Sequence, residues 1–396
     1  MKITVIGGAG MMGRVAVRDL AENFDAQVVI ADRELDAARK IAEWAGPKAV
    51  EARQVDIYDD AALDAAVRGS DCVINAANYY HNLQVMGGCL RAGVPYVDLG
   101  GLYHMTLRQL ELDGAFLEAG LTAIIGMGAD PGVTNVQAGY AARALDSIDS
   151  IRIYDGILPE PDTGGGINWG YSPATILDEF TMNPVAFRDG RMIELPPLAE
   201  PEEYAFAGPV GVRLVHHSLH SELATFPQSF RDRGIREVGF KISQFGFCDA
   251  VFERLRTLVD LGLASTEPVS VGGASIRPRD VLVAVVSQQS PGSALPIEET
   301  AEELVTEVRG ADAGGPLKVT VRTLSRGSTA WGIDGGAVVT GTPASIAAAW
   351  VAEGRLRAPG VQAPELAVEP EPFFEELRRR GIQTSYSLER PLGRGG

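Results

Sequence analysis

The chain has 396 residues, of which 45% are hydrophobic and 22% charged, a composition typical of a folded protein long enough for two or more domains. Its formal net charge is −17, which makes nucleic acids and anionic membranes poor partners. No apolar run approaches the length of a membrane span, and we expect no signal peptide before the first strand. The three cysteines, Cys72, Cys89 and Cys248, form no C-x-x-C pair, so we expect a reducing cytoplasm and no disulfide framework.

The first predicted elements form a strand, a glycine-rich turn and a helix. Residues 3–6 are an apolar strand, and the turn that follows has the G-x-G-x-x-G spacing at Gly8, Gly10 and Gly13. The helix over 11–23 begins inside this turn, so Met11 and Met12 lie in the predicted loop. Glycines at these positions allow a tight turn, a close approach of backbone to a diphosphate, and close packing of helix on strand. The free N–H groups at the start of the helix then favour the phosphates. We therefore predict a dinucleotide-binding loop.

A second strand over 26–33 carries the next expected cofactor contacts. It ends at Asp32, where an acidic residue binds an adenosine ribose diol and repels a 2′-phosphate, which favours NAD without excluding NADP. Arg33 complicates this choice because its guanidinium could hold that phosphate or stack on adenine. Alternatively, Asp32 is only the N-cap of a helix over 35–46.

Strands and helices continue to alternate up to residue 128. We predict strands at 49–56, 70–78, 94–101 and 121–128 and helices at 59–69, 81–93 and 107–120. This alternation predicts a doubly wound parallel sheet. Residues at the carboxyl ends of its strands are the expected ligand contacts. Asp56 is expected near adenine, or it is a helix cap, and Asn75 and Ala76 are expected near the nicotinamide. Tyr79 is expected in a pocket wall, or it is only a packed side chain.

The pattern changes at Asp130-Pro131-Gly132, a turn before a helix that ends near Leu145. Beyond it we predict strands at 148–160, 202–222, 235–246 and 316–328, a hairpin at 186–198 with an Asp-Gly turn, and helices at 173–184, 247–263 and 277–289. The Gly-rich loop at 161–172 and the start of the next helix offer Tyr171, Ser172 and Thr175 as possible ligand contacts. We predict a long helix within 335–356 and a short amphipathic helix at 369–382.

The sequence therefore predicts an α/β protein. Residues 1–130 are expected to form a Rossmann domain with a parallel sheet, and residues 131–335 an α+β domain with a mixed or antiparallel sheet. The C-terminal helices within about 336–385 are expected to pack back on the first domain.

The candidate catalytic residues are those that could manage a proton or a substrate charge. Asp98, at the carboxyl end of the fifth strand, could attract an ammonium or relay its proton, or it could simply be a buried cap. His104 follows closely, Tyr79 is a further catalytic candidate, and Arg231 is a candidate clamp for a carboxylate. His216 and His217 point to opposite faces of a strand, so a shared metal is disfavoured, and we expect no metal site. A single pocket histidine, His217 or His220, is the better interpretation.

Four segments together resemble the saccharopine dehydrogenase-like family, and in particular its lysine 6-dehydrogenase branch. They are GGAGMMG at 7–13, YVDLGG at 96–101, GADPGVTNV at 128–136 and EPEPFFEELRRRGI at 369–382. The resemblance implies an NAD(P)-dependent oxidoreductase that acts on a C–N bond, and a homodimer that forms through the second domain. It also implies that Gly8, Gly10, Gly13, Asp32, Asn75 and Ala76 bind the cofactor, and that Asp98, Gly100, Asp130, Pro131 and Gly132 lie at the cleft. Of the cleft residues, Gly100, Asp130 and Pro131 are also expected to contact the cofactor. Residues 167–179 and 212–222 depart from the lysine-acting pattern and should line the substrate pocket.

Three functions remain open at this point. The first is oxidative deamination of an amine or amino acid, such as the terminal amine of lysine. The second is imine reduction of the saccharopine or carboxynorspermidine dehydrogenase type. The third is a sensor that binds a dinucleotide without turnover. A cleft without catalysis should lack ionisable groups, so Asp98, His104 and Asp130 argue against this function. For the two enzymes, the partner is a small amine or amino acid.

Overall fold

The computed structural model describes residues 1–46, 50–164, 166–290 and 292–391. Its first sheet contains seven parallel strands, β1 (Lys2–Ile6), β2 (Gln27–Asp32), β3 (Val50–Gln54), β4 (Cys72–Asn75), β5 (Tyr96–Asp98), β6 (Thr122–Ile124) and β17 (Gly360–Gln362). Their spatial order is β17-β6-β5-β4-β1-β2-β3, so the chain reverses direction across the sheet between β1 and β4. That reversal creates the crevice at which dinucleotides bind in doubly wound sheets.

The helices of this half cover both faces of the parallel sheet, and their bounds are α1 (Gly13–Asn23), α2 (Leu35–Ala45), α3 (Asp60–Val67), α4 (Asn82–Ala92), α5 (Leu102–Leu110) and α6 (Asp113–Glu118). Except for the edge strand β3, the strands are largely buried on both faces because each parallel crossover places a helix against the sheet. The single helix predicted at 107–120 is wrong, since α5 and α6 are separate and α5 begins five residues earlier. The third strand was predicted from Ala49, which lies outside the described residues, and it ends at Gln54 rather than Asp56.

The second sheet is mixed and has nine strands, β7 (Ser147–Ile157), β8 (Val185–Arg188), β9 (Arg191–Glu194), β10 (Glu202–Ala205), β11 (Val212–His217), β12 (Glu237–Ile242), β15 (Ala301–Asp312), β16 (Gly315–Arg326) and β18 (Gln383–Glu389). Only the pairing of β12 with β7 is parallel among the pairings described in this sheet. The predicted α/β class, with one parallel Rossmann sheet and one mixed sheet, is confirmed.

The remaining elements of the second half surround this sheet: α7 (Val133–Ala142), α8 (Pro173–Thr181), α9 (Glu222–Ser229), α10 (Asp249–Asp260), α11 (Pro278–Gln288) and a separate hairpin of β13 (Val269–Val271) and β14 (Ala274–Ile276). A turn of 3-10 helix follows β4 at Tyr79–His81 and another follows α9 at Arg231–Arg233. Aromatic side chains from α8, α9, α10 and β12 share one core with the apolar faces of β7 and β16.

The C-terminal segment contributes to both halves through α12 (Gly335–Ala352), α13 (Pro364–Ala367), α14 (Pro370–Arg379), β17 and β18. Helix α12 packs on α1 so closely that a Cβ on Gly341 would lie 2.6 Å from the Cβ of Val15. Its length and apolar composition would suffice for a membrane span, but most of it is buried inside the protein. The domain limits at 130 and 335 stay a prediction.

Candidate functional site

A cavity of about 640 Å³ lies between the carboxyl ends of the parallel strands and one face of the mixed sheet. Its first wall consists of the loops that follow β1, β4, β5 and β6. Its second wall consists of β7, β15, the start of α8 and the segment before α9. Such a crevice is the default ligand site of an open α/β sheet.

The glycine loop forms one end of this cavity, with Gly10, Met11 and Met12 among the lining residues. A Cβ on Gly13 would lie 2.3 Å from the Gly7 carbonyl oxygen, so only glycine allows α1 to approach the loop this closely. Helix α1 has no side-chain cap at its N-terminus and no acidic residue in its first turn. The N–H groups of Arg14 and Val15 donate to the carbonyl oxygens of Gly10 and Met12, so an anionic diphosphate would meet the loop just before the helix, at the positive end of the helix dipole.

Asp32 lies next to the glycine loop, outside the residues that line the cavity. Its two carboxylate oxygens accept hydrogen bonds from the backbone N–H groups of Ala9 and Glu34, both at 3.1 Å. Arg33 is exposed and pairs with Glu34 at 3.4 Å. Asp56 is also exposed, and its carboxylate accepts from the Tyr58 N–H. The ribose role of Asp32 stays a prediction, as do the adenosine contacts of Arg33 and Asp56.

The far part of the cavity contains a group of carboxylates. Single oxygens of Asp130, Asp155 and Glu302 all lie within 4.8 Å of one another. Asp155 and Glu302 are buried on adjacent strands, β7 and β15, and Asp130 follows β6. One oxygen of Asp130 and one of Asp155 are buried without a hydrogen-bond partner among the described residues. We call these three residues the carboxylate cluster.

Burial and mutual repulsion govern the ionisation of the carboxylate cluster. Burial, and then the neighbouring charge of Asp155, raises the pKa of both Asp130 and Glu302, and burial followed by Glu179 raises that of Asp155. Three negative charges at this spacing are unfavourable unless protons or a bound cation neutralise them. An ammonium group can donate hydrogen bonds to all three carboxylates, so the cluster fits a protonated amine.

Glu179 and His220 lie beside the carboxylate cluster and line the same cavity. Glu179 accepts hydrogen bonds from the hydroxyl groups of Tyr171 at 3.0 Å and Ser218 at 3.1 Å. Burial raises the pKa of Glu179 to about 7, which is suitable for proton transfer near neutral pH. His220 stacks on Phe240 with ring centres 3.6 Å apart, and its Nδ1 lies 3.1 Å from a Glu222 carboxylate oxygen.

Asp98 does not have the position that was predicted for a catalytic residue. It is fully buried and does not line the cavity. Its carboxylate accepts from the Tyr96 hydroxyl at 2.8 Å, the Gly100 N–H at 3.0 Å, the Gly126 N–H at 2.6 Å and the Gln109 amide at 2.5 Å. Four donors satisfy it, so Asp98 holds the loops after β5 and β6 together. The alternative of a buried capping carboxylate describes it better.

Three further candidates also lie outside the cavity. His104 is exposed on α5. Arg231 borders a separate groove of about 420 Å³ between α9 and the β8–β9 hairpin. His217 lines another pocket, of about 200 Å³, and contacts the Phe240 carbonyl oxygen through Nδ1 at 3.0 Å. Because these three side chains lie outside the large cavity, they are not placed to contact a ligand in it.

Several other predicted residues do line the cavity, namely Ala76, Tyr79, Gly100, Asp130, Pro131, Tyr171, Ser172 and Thr175. Asn75 does not, because its side-chain amide is buried and bonded to Asn82 and Tyr96. Gly8 packs against the Ile30 side chain and supports the loop rather than lining the cavity. The ligand contacts of all these residues stay predictions.

The sequence interpretation missed Asp155, Glu179 and Glu302. Asp155 broke the apolar alternation of a predicted buried strand, and a charged residue at such a position is a signal for a functional site. Glu302 belongs to β15, a strand that was not predicted.

Comparisons with known proteins cover nearly the whole chain. Residues 3–124 match the saccharopine dehydrogenase NADP binding domain and residues 128–382 match the saccharopine dehydrogenase C-terminal domain. A carboxynorspermidine synthase of Vibrio cholerae is 28% identical over 95% of this chain and 94% of that protein. A carboxyaminopropylagmatine dehydrogenase of Synechocystis is 24% identical over 96% of both chains.

A solved structure has the same fold. The apo saccharopine dehydrogenase (L-Glu forming) of Saccharomyces cerevisiae superposes with a TM-score of 0.70 at 20% identity, over 98% of this chain and all of that one. The predicted family resemblance is thus confirmed, and the protein is an oxidoreductase that binds NAD(P). Both halves of the chain, together with the glycine loop and the cleft, belong to the saccharopine dehydrogenase family.

Proposed function

We propose that the protein joins an aliphatic diamine to an aldehyde by reducing the imine that they form. The amine nitrogen attacks the carbonyl carbon and water leaves, which gives an imine. Bound NAD(P)H supplies a hydride to the imine carbon. The nitrogen takes up one proton, and the product is a secondary amine.

The carboxylate cluster is the observation that carries this proposal. A diamine has one nitrogen that reacts and another that stays protonated and needs a binding site. Asp130, Asp155 and Glu302 provide a buried anionic site for that second nitrogen, in the same cavity as the glycine loop. Because an ammonium within contact distance of buried carboxylates favours their ionised form, amine binding and loss of their protons are coupled.

Glu179 is the best candidate for moving the proton at the reacting nitrogen. It lines the cavity next to the carboxylate cluster, and its pKa near 7 leaves both protonation states available. The hydroxyl groups of Tyr171 and Ser218 hold the carboxylate in place. His220 and Glu222 form a second hydrogen-bonded pair that orients the imidazole at the same wall.

The relatives favour imine reduction over the deamination of lysine. Three relatives that align with this chain along nearly their whole length are named for carboxynorspermidine or carboxyaminopropylagmatine, both carboxylated polyamines. The predicted α-carboxylate clamp, Arg231, borders another groove, which removes one argument for an amino-acid dehydrogenase. The lysine interpretation is therefore the second candidate, supported because the α-ammonium group of lysine, which does not react, also fits the carboxylate cluster.

A spectrophotometric assay at 340 nm distinguishes the candidates. Enzyme and NADH or NADPH are mixed with a diamine (1,3-diaminopropane, putrescine or agmatine) and aspartate β-semialdehyde, and each substrate is also tested alone. We expect cofactor oxidation only when amine and aldehyde are both present. Reduction of NAD⁺ by lysine alone would establish the second candidate instead. Tight binding of NADH with no turnover of any mixture would favour the sensor.

A further inference from the structure

Side-chain hydrogen bonds connect the two walls of the cleft at its mouth. The first wall contributes the loop after β4, where the Asn78 amide donates to Ser172 Oγ at 3.1 Å and to Thr175 Oγ1 at 3.3 Å. Both hydroxyl groups belong to the start of α8 on the second wall, and all three residues line the cavity. The start of α8 is therefore attached to the cofactor-binding half across the cleft.

One turn further along α8, Asp178 makes a second and stronger connection. The hydroxyl groups of Tyr79, at 2.7 Å, and Tyr80 both donate to the same Asp178 oxygen. The other oxygen accepts from Arg279 Nη1 of α11 at 2.5 Å. Asp178 is 5% exposed, and its buried ion pair with Arg279 holds the carboxylate in place for the two tyrosine hydroxyl groups.

The two tyrosines are suited to this donor role. Their rings pack against each other with centres 4.3 Å apart. Burial raises the pKa of both hydroxyl groups, and the hydrogen bonds to Asp178 raise them further. Both therefore keep their protons over the whole physiological range and donate to the carboxylate.

We infer that Asp178 is a positioning residue, which holds α8 against the loop after β4 and so fixes the substrate side of the cleft relative to the cofactor side. We call Asp178 with Tyr79, Tyr80 and Arg279 the clasp. Glu179 follows Asp178 directly on α8 and lines the cavity, and Tyr79 lines it from the opposite wall. A shift of α8 therefore moves the proposed proton-transfer group relative to the site of hydride transfer.

This inference rests on the proposed function for its catalytic consequence. Hydride transfer requires the imine carbon and the nicotinamide at near-contact distance, and a displacement of about 1 Å can cost roughly 100-fold in rate. Loss of one of the three hydrogen bonds to Asp178 loosens α8 only partly. We therefore expect a decrease of about tenfold in the rate of hydride transfer.

Tyr80→Phe is the informative variant, because Tyr80 is 47% exposed and does not line the cavity. The substitution keeps the ring and removes one hydrogen bond to Asp178. Tyr58→Phe is the matched control, since the Tyr58 hydroxyl bonds to His81 Nδ1 at 3.0 Å in the same region but makes no hydrogen bond to α8 among the described residues. Two measurements are compared, the single-turnover rate of NADH oxidation with diamine and aldehyde, and amide hydrogen exchange in residues 172–181 with NADH bound.

We expect Tyr80→Phe to slow hydride transfer about tenfold and to accelerate exchange in 172–181, while the Kd for NADH stays within twofold of wild type. Tyr58→Phe should change neither. Equal behaviour of the two variants would overturn the inference, and so would slower turnover without faster exchange in α8. If the wild-type protein turns over none of the substrate pairs, the proposed function fails, and the exchange measurement alone decides whether the clasp holds α8.

Discussion

Replacement of Asp155 by Asn tests the carboxylate cluster most directly. The change removes one charge and keeps the side-chain volume on β7. The Asp155 oxygen that is buried without a partner gives up no hydrogen bond, so little native structure is lost. We expect two effects of opposite sign: the free protein becomes more stable and amine binding becomes weaker.

The magnitude follows from the spacing of the cluster. Two ionised carboxylates 4.8 Å apart repel each other by roughly 3.5 kcal/mol at an effective dielectric constant of about 20. An ammonium in the cluster gains a similar attraction from each carboxylate. Since every 1.4 kcal/mol is a factor of about ten, the KM of the diamine should rise on the order of 100-fold.

The effect on stability depends on pH in a defined direction. The folded pKa of Asp155 lies well above its unfolded value, so between these two pKa values the folded chain binds more protons than the unfolded chain. The stability of the wild-type protein therefore decreases as pH rises through this window, and the full contribution is present only below the unfolded pKa. Asn does not ionise and escapes the penalty that the wild-type protein acquires as pH rises, so Asp155→Asn should stabilise the free protein by about 1–3 kcal/mol at pH 8 and by much less at pH 5.

Thermal unfolding at pH 5 and pH 8, with and without diamine, and steady-state kinetics provide the measurements. Asp189→Asn is the control, since Asp189 is an exposed aspartate at a hairpin turn far from the cluster, with its side chain 85% exposed. A diamine KM unchanged by Asp155→Asn would refute the amine site. A variant less stable than wild type at pH 8 would refute the electrostatic argument.

Three further predictions concern proton transfer, cofactor choice and folding. An acid with a pKa near 7 loses its proton as pH rises, so kcat/KM for imine reduction should fall above about pH 7. Glu179→Gln should abolish this decrease above pH 7 and lower the rate at least tenfold. A pH profile unchanged in the variant would contradict the role of Glu179. Wild-type protein should prefer NADH to NADPH, and Asp32→Ser should reduce the ratio of the two kcat/KM values at least tenfold; a wild-type preference for NADPH would contradict this reasoning. Asp19→Asn should lower the free energy of unfolding, measured in urea titrations, by about 3–5 kcal/mol because it leaves the buried Arg380 with one charged partner fewer. The control Arg378→Ala removes one side of an exposed ion pair and should change this free energy by less than about 1 kcal/mol.

Most of the first half of the fold could be predicted from the sequence because its periodicities are local. The apolar strands, the glycine turn and the helices of the parallel sheet follow from spacing within ten to fifteen residues. In the second half, β15 carries Glu302, Glu303 and Glu307, so its polar residues hid a strand that is buried between β7 and β16. Strands β17 and β18 are short or exposed and obtain their stability from strands distant in sequence.

The candidate site shows the same division between local and long-range information. Residues that follow parallel strands, such as Asp130, were predictable because the carboxyl ends of those strands meet at one edge. Asp98 satisfies the same rule, yet two strand-end loops turn their N–H groups toward it and remove it from the cavity. Nothing in the local sequence states how many donors will surround a carboxylate.

The carboxylate cluster illustrates why function in this chain depends on long-range contacts. Its three members come from the loop after β6, from β7 and from β15, and they are separated by 25 and 147 residues along the chain. Each alone would be an unfavourable buried acid. Brought within 4.8 Å of one another, they form a site whose repulsion only protons or a cation relieve. The mixed sheet thus contributes two of the three carboxylates of the proposed amine site, and the parallel sheet contributes Asp130 and the glycine loop.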